Sequence, residues 1–429
     1  MEKIKKIVHL AQTKTAKNTY LVFVGNSIAA FLGMIGMILV SRSLGPAGFG
    51  AFSVSFALLS FMAKLGDLGL NFAVVKNIAQ SRIKGQKKRI QKIFITTFWS
   101  KAVLCFIFGL IGLLLARYIS VDLLKSPLSL ISNRQVFLLF FVFVFYIFLQ
   151  VYFQAKKQFL DSCLIYVVAN VFKVGFLSLI YFFLPSFKEI ILIYLFTPFL
   201  SALLFFPKTK LRISFDFHKK ELARLLKFSS WMAVSVIFAA VAENLNVFMI
   251  SSWLSNFETG IYSAAEKFVI PIYLFTGSMA SVLVSRSSEF LKLEQIKVFI
   301  KKIMVLQLLL LGLFALAVPL ANLLPFILGS EYQSSVGILQ ILIIAHYFTA
   351  AITPLNSVFY PLNKSIIFAI DSILKVPLLF GLNQLFINQW RAKGAALSLV
   401  FVNLTVFIVN YLFLFYQLRK HGQKNISLG

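Results

Sequence analysis

The chain has 429 residues, of which 59% are hydrophobic, and its 42 lysines and arginines against 14 aspartates and glutamates give a formal net charge of +28. A mean hydropathy of +0.88 excludes an ordinary soluble domain and favours a membrane protein. The two cysteines and four dispersed histidines predict neither a disulfide framework nor a metal cluster. No G-x-x-x-x-G-K-[ST] phosphate loop is present, so neither ATP hydrolysis by the common route nor a bound cofactor is expected.

Apolar runs recur along the chain, each close to the roughly 20 residues that a helix needs to cross about 30 Å of hydrocarbon. They predict an all-α integral membrane protein with twelve transmembrane helices. The predicted spans are 21–41, 51–75, 93–116, 135–154, 160–184, 190–206, 230–253, 260–285, 303–320, 334–359, 365–385 and 394–417.

The connections between these spans are alternately rich and poor in lysine and arginine. Thirty of the 42 cations fall on one side, seven on the other and five within spans. Because cytoplasmic loops carry the excess of positive charge, this split predicts that both termini are cytoplasmic. The same split explains the basic composition as a signal for membrane orientation, so no nucleic-acid partner is expected. Attraction of anionic lipid headgroups is a secondary effect of this charge.

The longest polar interruption, residues 207–228, divides the spans into six and six. An offset of 210 residues aligns leucine at 44 and 254, glycine at 50 and 260, an aromatic residue at 52 and 262, and serine at 53 and 263. This repeat predicts an N-terminal six-helix bundle at 1–206, a basic cytoplasmic linker with an amphipathic helix at 207–228, and a C-terminal six-helix bundle at 229–429. Two such bundles related by an axis along the membrane normal would enclose a central cleft.

Ionisable residues within the spans are expensive to insert, so they are candidates for the lining of that cleft. Lys64 with Asp67 and Asp371 with Lys375 have helical spacing, and each pair could simply neutralise itself. Three cations lack an acid nearby in sequence and predict an electropositive lumen suited to an anion. The candidate substrate-binding residues are Arg42, Lys64, Asp67, Lys101, Lys173, Lys267 and Lys375, of which Arg42, Lys101 and Lys173 lack that local acid.

Three acids within the spans are candidates for ion coupling, with a proton or a sodium ion as the partner: Glu243, Glu266 and Asp371. Glu243 stands alone near the centre of its span, where burial favours proton uptake. Pairing of Glu243 with one of the lysines is the alternative. No residue is a candidate for catalysis.

Three segments together resemble a known family: Asn26-Ser27, Ser41-Arg42-Ser43-Leu44-Gly45-Pro46-Ala47-Gly48-Phe49-Gly50 and Asp67-Leu68-Gly69-Leu70. They are similar to the N-terminal signature of Wzx-type bacterial polysaccharide flippases in the MOP exporter superfamily, which also includes the MATE antiporters and the lipid II flippases. The resemblance implies alternating-access transfer of an undecaprenyl-diphosphate-linked oligosaccharide to the outer leaflet of the bacterial inner membrane, for surface polysaccharide or lipopolysaccharide biosynthesis. It also implies contact with polysaccharide polymerase or ligase machinery.

Two alternatives stay open at this point: a MATE-like, cation-coupled antiporter of small molecules and a membrane scaffold without transport activity. MATE antiporters often carry an acid in their first helix, and residues 21–41 have none. Lipid II flippases usually have fourteen spans rather than twelve. A membrane glycosyltransferase or polymerase is expected to have a large outer loop with catalytic groups, and none is found here, so an enzyme is not expected.

Overall fold

A computed structural model describes residues 14–181, 183, 187–211, 214, 217–287, 293–359 and 366–426, and these contain helices but no β-strand. The predicted all-α class is therefore confirmed. The α-helices are α1 (Lys14–Asp67), α2 (Leu70–Ile83), α3 (Lys87–Leu114), α4 (Leu130–Ala155), α5 (Phe159–Tyr181), α6 (Phe187–Phe205), α7 (Lys219–Trp253), α8 (Asn256–Lys267), α9 (Ile270–Ser287), α10 (Leu293–Ala317), α11 (Leu324–Leu328), α12 (Ser335–Ser357) and α13 (Ile366–Ile426).

Nine helical segments of the described residues are long and apolar enough to cross a membrane, so the chain is a multi-pass membrane protein. Two of them, Tyr20–Asp67 and Ile370–Arg419, have 48 and 50 residues, about twice the length that one crossing requires. Each has a non-helical residue in its interior, Gly45 with φ 62° and Arg391 with φ 53°. The count of twelve spans stays a prediction.

Helix α1 breaks at Gly45 because the backbone there adopts a left-handed φ, which glycine accepts without the steric cost of a Cβ atom. Pro46 follows at the first position of the second helical part, where its missing N–H removes no helical hydrogen bond. The Leu44-Gly45-Pro46 sequence therefore ends one helix and begins another without a loop.

The helices form two compact units, Met1–Ala240 and Val241–Gly429, whose boundary falls within α7. The predicted division at 207–228 stays a prediction. Residues 219–228 are the first turns of α7 rather than a separate amphipathic helix, with Leu225 buried and Leu226 exposed. The proposed cap of that helix, Asp216, lies outside the described residues.

Aromatic side chains of α3 and α4 form much of the core of the N-terminal unit. The ring of Phe94 stacks on Phe148 with centroids 4.9 Å apart and meets the edge of Tyr152 at 5.1 Å. All three rings are buried. The phenylalanine-rich stretch 137–153 therefore serves helix packing at the positions that face the unit.

Glycines allow α3 to approach α4 closely. A Cβ atom on Gly112 would lie 2.2 Å from the ring of Phe137, and one on Gly109 would lie 2.8 Å from the Phe137 carbonyl oxygen. Phe137 is itself buried, so its ring has no free space into which it can turn. Gly109 and Gly112 therefore serve the close packing of α3 against α4.

The C-terminal unit has its own apolar core, in which residues at the end of α12 meet α10 and α13. Leu355, Phe359, Ile303 and Leu414 are among its buried members. Two tyrosines add polar cross-links: Tyr411 donates to Gln307 Oε1 at 2.5 Å, and Asn246 Nδ2 donates to Tyr262 Oη at 2.7 Å.

A Gly112→Ala substitution should lower the free energy of unfolding by about 1–3 kcal/mol, because the new methyl group overpacks the contact with Phe137. Gly175→Ala, on α5, is the matched control, since a Cβ atom there meets nothing within 4 Å. Thermal unfolding of the purified protein in detergent measures both. Equal unfolding midpoints for the two variants would contradict the packing described here.

Candidate functional site

A lysine inside the N-terminal unit has an amide and an aromatic ring as its neighbours. Lys173 Nζ on α5 donates to Asn170 Oδ1 at 3.1 Å and lies 4.6 Å from the centroid of the Tyr194 ring on α6. The i, i+3 spacing of Asn170 and Lys173 places both on one face of α5. The aromatic face attracts the ammonium group through its quadrupole without neutralising its charge.

Glycines of α1 and further aromatic rings lie around Lys173. A Cβ atom on Gly36 would lie 3.7 Å from both Lys173 Cδ and Tyr194 Oη, and one on Gly33 would lie 3.5 Å from Asn170 Oδ1. Tyr194 is held in turn, because its hydroxyl donates to Met37 Sδ at 3.5 Å and its ring meets the edge of Phe52 at 5.0 Å.

Among the described residues, no carboxylate oxygen lies within ion-pair distance of Lys173, which is only partly buried. An ammonium group in this setting keeps its long-range attraction for anions. In this part of the chain, its contacts are an amide and an aromatic ring. Whether it contacts substrate stays a prediction.

Lys101 differs from Lys173, and here the prediction of an unpaired cation is wrong. Its Nζ forms an ion pair with Asp67 Oδ1, and only 1% of the Lys101 side chain is exposed. The two residues are 34 positions apart, on α1 and α3, so no local spacing revealed the pair. Lys101 also lies 5.6 Å from the centroid of the Phe148 ring.

Asp67 also accepts a hydrogen bond from the backbone at the break between α1 and α2. Its Oδ1 accepts from the backbone N–H of Asn71 at 3.1 Å, in the first turn of α2. Leu68 and Gly69 between the helices both have positive φ, 42° and 74°. Asp67 therefore caps one helix and neutralises a lysine of another, and its pairing with Lys64 stays a prediction.

The other two predicted cations of the N-terminal unit, Arg42 and Lys64, both lie on α1. Arg42 is exposed, three residues before the break at Gly45. Lys64 is partly buried near the end of α1. Arg42, Lys101 and Lys173 therefore differ in their surroundings, although the sequence predicted one common role for them.

In the C-terminal unit, the predicted acids lie in three different settings. Glu243 on α7 is exposed, in contrast to the buried position predicted for it. Glu266 Oε2 lies 3.3 Å from Nζ of its neighbour Lys267, an ion pair across adjacent residues at the end of α8. Both side chains are partly buried.

Asp371 is the buried one of the three predicted acids, and it accepts hydrogen bonds from an amide. Asn410 Nδ2 lies 2.9 Å from Asp371 Oδ1 and 3.0 Å from Oδ2, so the amide donates to the carboxylate. Lys375, one turn later on α13, is partly buried. The pairing of Asp371 with Lys375 stays a prediction, and the direct contact of Asp371 is the amide of Asn410, 39 positions away in sequence.

Sequence reasoning missed two polar clusters of the C-terminal unit. Asn383 Nδ2 donates to Asn246 Oδ1 at 2.8 Å, which links α13 to α7, and both amides are buried. Arg391 Nε donates to Glu258 Oε1 at 2.5 Å. The Ser255-x-x-Glu258 spacing is a helix-start signal that could have located the beginning of α8, and Ser255 Oγ does accept from the Glu258 N–H at 3.2 Å.

The chemistry available to these residues is binding rather than bond breaking. No group of three or more histidine, cysteine, aspartate or glutamate residues suited to a metal ion occurs in the described part of the chain. Cys105 and Cys163 are buried and unbonded, as expected for packing residues. The N-terminal unit thus offers an anion a lysine held by an amide and a ring, and the C-terminal unit offers a buried carboxylate.

Residues 15–291, more than half of the chain, match the family model described as polysaccharide biosynthesis protein. The chain belongs to this family. It is similar to the "Putative O-antigen transporter" of Shigella flexneri, with 25% identity over 400 residues that cover 89% of this chain and 93% of the relative. The resemblance read from the N-terminal signature is therefore confirmed at the level of the family.

Solved structures show the same fold. An inward-facing multidrug resistance MATE family transporter of the MOP superfamily superposes with a TM-score of 0.75 at 15% identity, covering 94% of this chain and 99% of the other. The lipid II flippase MurJ in an inward closed conformation superposes with a TM-score of 0.73 at 13% identity, covering 94% and 89%. These relatives are named as transporters and a flippase, in agreement with the expectation that the family member is not an enzyme.

Removing one partner of the buried Asp67–Lys101 pair should destabilise the protein strongly. Lys101→Gln or Asp67→Asn alone should cost about 3–5 kcal/mol, because each leaves an uncompensated charge. The double variant should cost less than the sum of the single variants. Unfolding midpoints of all four proteins complete the cycle, and strictly additive costs would show that the two groups do not interact.

Proposed function

We propose that the chain is a flippase that moves an undecaprenyl-diphosphate-linked oligosaccharide from the cytoplasmic to the outer leaflet of the bacterial inner membrane by alternating access. Family membership and the similarity to an O-antigen transporter support the class of substrate. The observation that carries the proposal is Lys173, a cation within the membrane-spanning part whose contacts are an amide and a ring. A diphosphate is a suitable anion for such a group.

Lys173 would attract the diphosphate by two physical effects. Its charge acts over a long distance because the surrounding medium has a low dielectric constant. This attraction would concentrate anions near Lys173. At contact, the ammonium group would exchange the amide oxygen of Asn170 for a phosphate oxygen, and a hydrogen bond between two charged groups is the stronger of the two. Tyr194 would keep the lysine stem in place throughout, since its ring is fixed by Met37 and Phe52.

The domain division and the remaining candidates are parts of the same proposal. The 210-residue repeat supports two bundles, at 1–206 and 229–429, around the linker at 207–228. Ion coupling through Glu243, Glu266 or Asp371 is retained as a prediction, with Asp371 favoured because it alone of the three is buried. Contacts with a polysaccharide polymerase or ligase are likewise a prediction.

Replacing Lys173 with glutamine should reduce flipping by about tenfold or more, the size expected when a charge-assisted hydrogen bond is lost. Lys188→Gln is the matched control, because it removes the same charge from an exposed side chain. The measurement is the amount of lipid-linked oligosaccharide that reaches the outer leaflet in a strain lacking the chromosomal gene, normalised to protein abundance.

Two further variants sharpen this test. Lys173→Arg keeps the charge and should retain most of the activity, whereas Asn170→Asp places a carboxylate beside the ammonium group and should reduce flipping as Lys173→Gln does. Full activity of Lys173→Gln would remove Lys173 from the mechanism. Normal surface polysaccharide in the deletion strain together with sensitivity to toxic small molecules would instead favour the MATE-like antiporter.

The excess of cations on one side leads us to propose cytoplasmic termini. A green fluorescent protein fused after Gly429 should fluoresce, because it folds in the cytoplasm. Alkaline phosphatase fused after Lys125 should be active, because that segment is placed outside. Phosphatase activity after Gly429 or its absence after Lys125 would refute the topology.

A further inference from the structure

The turn between α2 and α3 forms one wall of an open groove of about 580 Å3. Gly85 turns the chain there with a φ of 67°, and α3 begins two residues later. The segments that line the groove come from this turn, from the first turns of α3 and from α7. The lining residues are Gly85, Gln86, Lys87, Lys88, Arg89, Lys92 and Glu221.

Positive charge in this groove exceeds what its one acid can neutralise. Glu221 Oε1 lies 3.4 Å from Arg89 Nε and 2.9 Å from Arg224 Nη1, so it is already shared by two arginines. Lys87, Lys88 and Lys92 take part in none of the ion pairs among the described residues, and Lys87 and Lys88 are exposed. Within the described part of the chain, their charge is therefore available to a bound anion.

An exposed apolar face of α2 runs toward the same turn. Phe72, Val75 and Ile83 expose 55%, 37% and 87% of their surface. With the partly buried Ala79 they follow the spacing i, i+3, i+7 and i+11, which places all four on one side of the helix. The face ends at Ile83, two residues before the groove begins at Gly85.

We propose that the groove is a binding site for an anionic phospholipid of the inner leaflet, distinct from the proposed substrate contact at Lys173. The headgroup phosphate would accept hydrogen bonds from the ammonium groups of Lys87, Lys88 and Lys92, and an acyl chain would lie along the face of Phe72, Val75 and Ile83. Basic residues next to a membrane-spanning helix attract anionic headgroups. The site rests on the proposed topology and not on flippase activity.

A lipid accounts for a feature that a soluble phosphate would leave unexplained. A free anion needs only the cations, whereas the apolar face of α2 next to them matches a molecule with a charged and an apolar end. Arg89 also has a structural role through Glu221, which ties the start of α7 to α3. The three lysines without ion pairs are therefore the residues to change, because their removal leaves that tie intact.

The test uses the purified full-length protein in neutral detergent and measures displacement of a fluorescent phosphatidylglycerol. Unlabelled phosphatidylglycerol should displace the probe, whereas phosphatidylcholine and inorganic pyrophosphate at the same concentration should not. The triple variant Lys87→Gln, Lys88→Gln, Lys92→Gln should bind the probe at least about tenfold more weakly, since each lysine contributes roughly 1 kcal/mol near an anionic surface. Ile83→Ser should also weaken binding.

A control variant removes the same number of charges elsewhere: Lys220→Gln, Lys301→Gln, Lys302→Gln, all at exposed positions outside the groove. Its affinity should stay close to that of the unmodified protein. Equal weakening in both triple variants would overturn the proposal, because the attraction would then be a property of total charge. Displacement by pyrophosphate as effective as by phosphatidylglycerol would overturn the lipid and leave a soluble anion as the ligand.

Discussion

A charge within the membrane must be compensated by protein or water, and Lys101 and Lys173 of the N-terminal unit meet this constraint in opposite ways. Lys101 is neutralised by Asp67, so the pair acts as a fixed cross-link between α1 and α3. Lys173 is stabilised by an amide oxygen and an aromatic face, neither of which cancels its charge. The first arrangement provides structure, and the second leaves a net attraction available for a ligand.

The breaks in the helices are subject to a similar constraint, because hydrocarbon offers no hydrogen-bond partners to the backbone. Backbone groups freed at a break must find hydrogen bonds within the protein. At the end of α1 the side chain of Asp67 supplies one of them to Asn71. At the start of α8 the side chain of Ser255 supplies another to Glu258. At the first of these breaks the same carboxylate also neutralises Lys101, so Asp67 serves both the backbone and a neighbouring side chain.

The sequence was sufficient to predict the all-α class, the membrane location and the family, because these depend on apolar run length and on a local signature. It also marked Lys173 as a candidate because its nearest acid is distant along the chain, and the role of Lys173 stays a prediction. It failed for Lys101, since the contact with Asp67 joins residues 34 positions apart and depends on how α1 packs against α3. The link between Asn246 and Asn383 was missed for the same reason, with a separation of 137 positions and no charge to mark it.

The net charge of Lys173 also bears on energetics beyond binding. A membrane potential acts on a single elementary charge with about 2.3 kcal/mol per 100 mV if the charge crosses the whole field, and it exerts almost no net force on a neutral pair. Displacement of α5 along the membrane normal would therefore do electrical work through Lys173, whereas displacement of the Asp67–Lys101 pair would do little. If a diphosphate binds at Lys173 as proposed, the sign of the moving charge would reverse, so the loaded and empty states would respond to voltage in opposite directions.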